Sequence, residues 1–390
     1  MNALLRSFAA LATVGVFATR LAAAAPPEGR PVAKLAGPSG TAAAFSRDGK
    51  LLLTAGADSA RVWHAQTFEP TTDPFSHRGQ KLSLARISPD GKHVVTAAGS
   101  EVIVRDTAPP RASRTLRNND KVWSADFSPD GSRVVTATAD GSVRLFDVRS
   151  GGEVMTLKHP AAVKFAAFTP DGTKLVTVRE PNAVDGDWEA QPLRVWDVVR
   201  SVELYRKNKH QNEYNNQHEE WLRPVAFSAD GRLAATFSAY TWTAAAWEIA
   251  TGTVVCDVDL RRQALKWMMG MPTATAFTPD GRAFAVAGSM GVDVWRVESR
   301  DGRPPRRLAR IDVDGVESVE FGPDGTRLFL GARWGKSGVW SLPDSLVLSI
   351  PQRDGEAPAH AFSPDGKHVA AGFASDGFTS IWEVPDQEQP

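Results

Sequence analysis

The sequence predicts an all-β protein, built as a ring of repeated four-stranded units. Two observations lead to this fold class. A short phrase occurs eight times in the 390 residues: an aromatic residue or Ile, then Ser, Thr or Gly, any residue, Asp and Gly. The copies lie at residues 45–49, 87–91, 127–131, 168–172, 227–231, 277–281, 321–325 and 362–366. Their glycines are 40 to 59 residues apart, a period typical of repeat architectures.

Each copy of the phrase predicts a β-hairpin. The order Ser, Pro, Asp, Gly is typical of a type I turn closed by a flexible glycine. Apolar runs flank the turn on both sides, for example residues 124–127 before it and 133–136 after it. Two such runs joined by a tight turn indicate two antiparallel strands.

Two further strands complete each repeat. A third run ends in a large residue, such as Trp196 or Trp295, and a fourth run follows in most repeats, such as 154–157. Four short antiparallel strands per period make one blade of a β-propeller. The phrase count favours eight blades. Seven blades plus a divergent flanking segment is the alternative, because the third run of the fifth copy, residues 243–247, is weakly patterned.

The two ends of the chain predict how the ring closes. After Val384 the last repeat has no outer strand of its own, because only residues 385–390 remain. A spare strand-like run, residues 31–36, precedes the first repeat. Pairing the two ends would complete the last blade and cover an open strand edge. We therefore expect a propeller over residues 26–385 and a short tail at 386–390.

The ends of the third runs carry a family resemblance. In two repeats the third run ends in an aromatic residue followed by Asp, namely Phe146-Asp147 and Trp196-Asp197. The other third runs keep only part of this aromatic-Asp pair. Trp247-Glu248 and Trp382-Glu383 keep a carboxylate, Trp63, Trp295 and Trp340 keep only the ring, and the second repeat has Arg105-Asp106. Over residues 31–385 the chain resembles the WD-repeat (tryptophan-aspartate repeat) β-propeller family, as a degenerate, bacterial-type member.

The resemblance implies a scaffold for contacts with other proteins. It also implies a buried network of His, Ser or Thr, Trp and Asp. Few repeats here have the residues to complete that network: the family's Gly-His pair is intact nowhere, and His159 is the nearest remnant.

The N-terminus is predicted to be an export signal. Arg6 precedes an apolar run at residues 7–19, and the small residues 21–25 suit cleavage before Pro26. The run is too short to span a membrane, so we expect no stable membrane insertion. We therefore interpret residues 1–25 as a signal peptide, and we expect a bacterial protein that is periplasmic or extracellular.

Composition argues against several classes of function. Removing residues 1–25 leaves 43 basic and 45 acidic residues, whereas nucleic-acid-binding domains are strongly basic. The lone Cys256 permits no internal disulfide, and its apolar surroundings predict a packing role. No nucleophile elbow, phosphate loop or His-Glu-x-x-His pair occurs, so we expect no catalytic residues, no cofactor and no metal.

The exceptions to the repeat lie on one face. In a propeller blade, the first-to-second and third-to-fourth turns lie on one face, here named the turn face. The second-to-third loops and the passages to the next blade lie on the other, here named the insertion face. The long insertions 179–192, 207–224 and 261–272 all fall on the insertion face, in blades four to six. Long loops on one end of a rigid scaffold are where binding sites are usually built.

The tryptophans support the same face. Six of the twelve hold the third-run position and are expected to be core residues, and the other six fall in or beside loops of the insertion face. Of these, Trp123 is interpreted as ordinary packing, because it begins an inner strand. The predicted partner-binding residues are Trp188, Tyr214, Trp221, Tyr240, Trp242, Trp267 and Trp334.

The sequence therefore predicts a non-catalytic propeller that binds a protein partner through the insertion face of blades four to six. A glycan ligand is a second possibility, because the aromatic residues lie beside Asn- and Gln-rich loops. The competing class is a propeller enzyme, a metal-dependent hydrolase or a lactonase-like protein. Its metal would be held by His210, His218, Glu219 and Glu220, all from one insertion. The sequence leaves the oligomeric state open.

Overall fold

The computed structural model describes residues 30–179, 193–207, 222–238, 243–260, 272–297, 305–353 and 355–386. These residues form antiparallel strands joined by turns and loops. Over those ranges, the chain forms no helix long and apolar enough to cross a membrane. The predicted signal peptide lies outside the described residues.

The strands form eight sheets that follow one another along the chain, so the eight-blade prediction is confirmed. Innermost in each sheet is the first strand of the repeat: β2 (Ala42–Phe45), β5 (Leu84–Ile87), β9 (Val122–Phe127), β13 (Val163–Phe168), β17 (Leu222–Phe227), β21 (Pro272–Phe277), β25 (Val316–Phe321) and β29 (Ala359–Phe362). The second strands are β3 (Leu51–Ala55), β6 (His93–Ala98), β10 (Arg133–Thr138), β14 (Lys174–Arg179), β18 (Leu233–Ser238), β22 (Ala283–Gly288), β26 (Arg327–Ala332) and β30 (His368–Gly372).

The third strands carry the large residue at or near their ends. They are β4 (Ala60–His64), β7 (Glu101–Asp106), β11 (Ser142–Asp147), β15 (Leu193–Asp197), β19 (Thr243–Glu248), β23 (Gly291–Arg296), β27 (Ser337–Ser341) and β31 (Phe378–Glu383). The outer strands are β8 (Ser113–Arg117), β12 (Glu153–Lys158), β16 (Val202–Lys207), β20 (Val254–Asp259), β24 (Arg307–Ile311), β28 (Ser345–Ile350) and, from the N-terminus, β1 (Ala33–Ala36).

The ring closes as the sequence predicts. Strand β1 pairs antiparallel with β31, with Ala33 opposite Ile381 and Ala36 opposite Phe378. The innermost strands β2 and β29 of the first and last blades also lie against each other. The outer strand of the eighth blade is thus supplied by the start of the chain.

The first blade has three regular strands, and a proline-containing segment covers its outer edge. Pro70 and Pro74 have no N–H to donate, so this segment cannot form a regular ladder. It touches β4 through isolated bridges, with hydrogen bonds in both directions between Ala60 and Phe75. The backbone of Val62 is satisfied by the side chain of Thr72 and the N–H of Thr71.

The repeated phrase folds as the predicted turn. In the first copy, Ser46 Oγ donates to Asp48 Oδ1 at 2.7 Å, and Asp48 accepts the backbone N–H of Lys50 at 3.1 Å. Gly49 has φ of +70°, which a glycine adopts without strain. The Ser46 hydroxyl holds the pKa of the Asp48 carboxyl below its ordinary value. In the seventh copy Gly322 replaces the hydroxyl residue, and Arg327 Nε donates to Asp324 instead.

The core consists of apolar clusters between neighbouring blades. The described residues form eight such clusters, one for each of the eight blade–blade contacts. The third-strand tryptophans Trp63, Trp196, Trp247, Trp295, Trp340 and Trp382 are 1 to 8% exposed and fill six of them, which confirms their predicted core role. Cys256 is buried in the cluster between blades five and six.

The hydrogen-bond network implied by the resemblance is partly present. In the fourth blade, Thr177 Oγ1 lies 3.2 Å from His159 Nε2 and accepts the Trp196 indole N–H at 3.0 Å. The sixth blade has Val286 at the corresponding position, and the buried indole N–H of Trp295 has no acceptor among the residues that the structure describes. The network was therefore correctly expected to be incomplete.

The second blade builds an equivalent network from other residues. His77 Nε2 lies 2.8 Å from Thr96 Oγ1, and Arg105 Nη1 donates to the same hydroxyl at 2.7 Å. Glu101 Oε2 lies 3.0 Å from His77 Nδ1. Arg105 thus replaces the tryptophan as donor. His77 lies outside the repeated phrase, so the sequence pattern does not mark it.

Closure through β1 predicts a specific loss of stability. Leu35 is 2% exposed and packs with Leu52, Trp63 and Ile381 between the last and first blades. Leu35→Ala should lower the free energy of unfolding by about 2–5 kcal/mol in urea titrations, because it leaves a cavity at the closure. The neighbouring exposed Lys34→Ala is the control, expected to change it by about 0.5 kcal/mol or less. Equal effects of the two substitutions would contradict this role of β1.

The indole hydrogen bonds predict a pair of opposite effects. Thr177→Val should cost about 1–3 kcal/mol, since it removes the acceptor of the Trp196 N–H. Val286→Thr should stabilise the protein by about 1 kcal/mol, since it gives the Trp295 N–H an acceptor in a side chain of the same shape. Both are measured by chemical denaturation. A destabilised Val286→Thr variant would contradict the account of the sixth blade.

Candidate binding surface on the insertion face

The structure describes one of the seven predicted partner-binding residues. Trp334 lies in the loop between β26 and β27, on the insertion face of the seventh blade. The other six lie outside the described residues: Trp188, Tyr214, Trp221, Tyr240, Trp242 and Trp267. Their predicted role stays a prediction.

Trp334 presents an open aromatic surface. Its side chain is 65% exposed. The indole rests against the backbone of Gly315, where a Cβ atom would come within 2.6 Å of the ring. The guanidinium of Arg333 lies 5.6 Å from the ring centroid, and its Nη2 is 2.7 Å from Glu317 Oε1. The ring is therefore supported from below and flanked by a paired cation.

Trp123 is exposed, and its interpretation as a packing residue is wrong. It begins the inner strand β9 at the insertion face and is 38% exposed. Lys121 Nζ and Lys164 Nζ lie 3.8 Å and 3.4 Å from its ring centroid. A cation this close to an aromatic face is attracted by the ring quadrupole. Trp123 thus lies at the rim of the central channel, bound to two positive charges.

The channel wall carries charges at one recurring position. The residue before the phrase's first residue is alanine in five blades, but it is Arg86, Asp126 and Glu320 in the other three. Burial raises the pKa of Asp126 to about 6, and the charge of Arg86 opposes that shift. Arg86, Asp126 and Glu320 are not among the residues predicted above, although an alignment of the eight copies shows this position as a column.

Glu320 lies next to His360 of the following blade, and both side chains have strongly shifted pKa values. Glu320 Oε2 lies 3.7 Å from His360 Nε2, and the imidazole stacks on Phe329 at 4.1 Å between ring centroids. Burial raises the pKa of Glu320 to about 8, and the backbone N–H of Phe362 opposes that shift. Burial lowers the pKa of His360 to about 4. Both groups are therefore neutral near pH 7, with the proton on the carboxyl.

This group superficially resembles a catalytic triad, because Ser318 Oγ lies 3.3 Å from His360 Nδ1. The carbonyl oxygen of Pro358 lies equally close to the same nitrogen. Since a carbonyl only accepts, this bond requires Nδ1 to carry the hydrogen, so it cannot take the proton of Ser318. Ser318 Oγ also lies over Gly331, at 2.3 Å from where a Cβ would stand. The arrangement does not activate a nucleophile.

The described residues contain no group of three or more His, Cys, Asp or Glu side chains placed to hold a metal ion. The candidate ligands His210, His218, Glu219 and Glu220 lie outside them.

Comparison with known proteins agrees with the blade architecture. The family model described as "WD domain, G-beta repeat" matches residues 111–147 and 358–383. The first segment holds the outer strand of the second blade and the first three strands of the third blade, and the second segment holds the first three strands of the eighth blade. The chain is an eight-bladed β-propeller, and these two segments of it match the WD-repeat family model.

One curated protein and one solved structure are similar to the chain over most of the propeller. The serine-threonine kinase receptor-associated protein of Dictyostelium discoideum is 22% identical over 306 residues, which are 77% of this chain and 94% of that protein. The crystal structure of the C-terminal WD40 domain of Sif2 has a TM-score of 0.70 at 15% identity, and the match covers 93% of this chain and 99% of that chain.

The Glu320–His360 pair predicts a pH effect on stability. From pH 6.5 to 8, an unfolded glutamate is ionised while folded Glu320 keeps its proton, so its contribution to stability is lost as pH rises through the folded pKa. The lowered pKa of His360 acts at lower pH, between about 4 and 6.5. Glu320→Gln should therefore flatten the decline of Tm between pH 6.5 and 8.5. The exposed Glu383→Gln is the control, and identical pH profiles for both variants would contradict the assignment.

Proposed function

We propose that this propeller is a non-catalytic scaffold that binds a protein partner through its insertion face. The exposed tryptophans carry the proposal. In the described part of the chain, Trp123 and Trp334 are the exposed tryptophans, and both lie on the insertion face. Amphipathic aromatic residues are enriched at recognition surfaces.

The rest of the architecture supports the same face. The turn face carries the uniform Asp-Gly turns, whose polar groups are largely satisfied by their own residues, as in the bonds among Ser46, Asp48 and Lys50. The long insertions of blades four to six are predicted from their place in the repeat to lie on the same face. The name of the Dictyostelium relative also describes association with a receptor.

A catalytic role has weaker support. Among the described residues, Ser318 with His360 and Glu320 resembles a catalytic constellation, but its hydrogen placement is wrong for proton abstraction. A glycan partner would also use exposed aromatic rings, and the experiment below distinguishes it because a glycan gives no peptide crosslinks.

We further propose that the chain is exported and that residues 1–25 are removed, as the N-terminal pattern indicates. The intact mass of the protein recovered from the cell envelope tests this. A mass corresponding to the chain from Pro26 is expected, and retention of residue 1 would contradict export through this signal.

Crosslinking in the source cell tests the binding face. Lys81, Lys121, Lys164 and Lys336 lie on the insertion face, and Lys50, Lys92, Lys174 and Lys367 lie at the turns of the other face. Amine-reactive crosslinking followed by mass spectrometry should join a partner protein to the first set. Trp334→Ala should reduce those crosslinks several-fold, while Val199→Ala, an exposed apolar residue on the turn face, should not. Crosslinks confined to the second set would contradict the proposal.

A further inference from the structure

Positive charge is concentrated on one arc of the insertion face. Each of the three passages from blade one to blade four has two cationic residues in it or at its flanking strand ends. We name them the basic arc: Arg78 and Lys81, Arg117 and Lys121, Lys158 and Lys164. All are exposed except Lys164, which is partly buried.

The six cations of the arc outnumber the carboxylates near it. Glu101 Oε2 lies 3.0 Å from His77 Nδ1, Asp140 Oδ2 lies 3.1 Å from Arg144 Nη2, and Asp120 Oδ1 accepts the backbone N–H of Lys121 at 2.6 Å. Among the residues that the structure describes, no carboxylate oxygen lies within 4.0 Å of the charged nitrogens of Lys81, Lys121 or Lys158. The same is true of the two arginines of the arc.

The opposite side of the same face is arranged differently. Arg333 Nη2 lies 2.7 Å from Glu317, and Arg353 Nε lies 2.6 Å from Asp376. In blades seven and eight these cations are therefore paired with carboxylates of their own chain. The arc is a local excess of charge on a protein whose formal net charge is zero.

Trp123 lies in the middle of the arc. Two of the arc's ammonium groups, those of Lys121 and Lys164, contact its ring. The site therefore presents an accessible aromatic ring and at least two positive charges within a few ångströms of it. A ligand that brings carboxylates to the lysines also reaches the indole.

We propose that the basic arc binds an acidic, extended segment of a protein partner, with carboxylates against the lysines and an apolar or aromatic side chain against Trp123. This rests on the proposed scaffold function and adds the chemistry of the partner and the place where it binds. Charge complementarity is the argument for an acidic ligand.

A protein segment fits better than a nucleic acid. A sequence pI of about 7.1 is unlike the strongly basic domains that bind nucleic acids. The eight turn carboxylates on the other face, all with lowered pKa values, would repel a long polyanion that wrapped around the molecule. A short acidic segment confined to the arc meets no such repulsion.

Fluorescence anisotropy with a defined probe tests the proposal. The probe is a fluorescein-labelled 16-residue peptide of Glu and Gly with one central Phe, at about 0.15 M salt. The full propeller should bind it, and affinity should fall as salt rises. The double variant Lys121→Gln, Lys164→Gln and the single variant Trp123→Ala should each weaken binding about tenfold.

The control is a charge-matched variant on the other face. Lys50→Gln with Lys92→Gln removes the same charge from the turn face and should leave the Kd unchanged. Circular dichroism and the urea midpoint establish that each variant is folded. A peptide with Gln in place of Glu should not bind.

Three results would overturn the proposal: no binding of the acidic peptide, an equal loss in the turn-face control, or tighter binding of a single-stranded oligonucleotide or of anionic phosphatidylglycerol vesicles than of the peptide. Its failure is distinguishable from failure of the scaffold function. Crosslinks through Lys336 without peptide binding would retain the insertion face and reject the arc. Peptide binding together with crosslinks confined to the turn face would retain the arc as an acidic-peptide site and reject the insertion face as the scaffold surface.

Discussion

Burial between neighbouring blades is the interaction on which the rest of this structure depends. A four-stranded sheet has two faces, and each blade here covers both by packing against the blade before it and the blade after it. Eight interblade clusters do this, and six of them contain a tryptophan from a third strand. The arrangement holds only if the first blade also meets the last. The short strand β1 is therefore as important as any complete blade, because it joins the closing blade to the start of the chain.

The turn chemistry assigns different roles to the two faces. In most of the turns a hydroxyl group donates a hydrogen bond to the carboxylate of the Asp that precedes the glycine. In the third copy, for example, Ser128 Oγ lies 2.5 Å from Asp130 Oδ1. These turns are short and alike, so they define the blade without offering varied side chains. The loops of the insertion face do not share one repeated turn sequence, and their residues differ from blade to blade. The carboxylate-paired arginines of blades seven and eight and the lysines that flank Trp123 at the arc are both products of that freedom.

Much of the fold could be predicted from the sequence because its cause is local. The Asp-Gly turn, the strand on either side of it and the residue at the end of the third strand recur within about 20 residues of one another. The strand that closes the ring could be predicted because the last repeat has no outer strand of its own, whereas an extra strand-like run, residues 31–36, precedes the first repeat.

The candidate site was harder to predict because it depends on contacts between blades. Trp123 begins a strand, which by itself indicates packing, and only the approach of Lys164 from the next blade defines its environment. Glu320 and His360 likewise lie on different blades, 40 residues apart in sequence. His77 and Arg105 replace a familiar network with unfamiliar residue types, so no motif marks them. Most of the predicted aromatic residues lie outside the described part of the chain and stay predictions.

The pairing of β1 with β31 also orders events during synthesis. Ala33 is synthesised 348 residues before its partner Ile381, so β1 must wait unpaired while the blades between them form. During that interval Leu35 has no cluster to enter, and the exposed edge of β1 can pair with a wrong strand. A truncated chain can fold its hairpins but cannot seal the ring. Completion of the last strand thus distinguishes a finished molecule from an unfinished one.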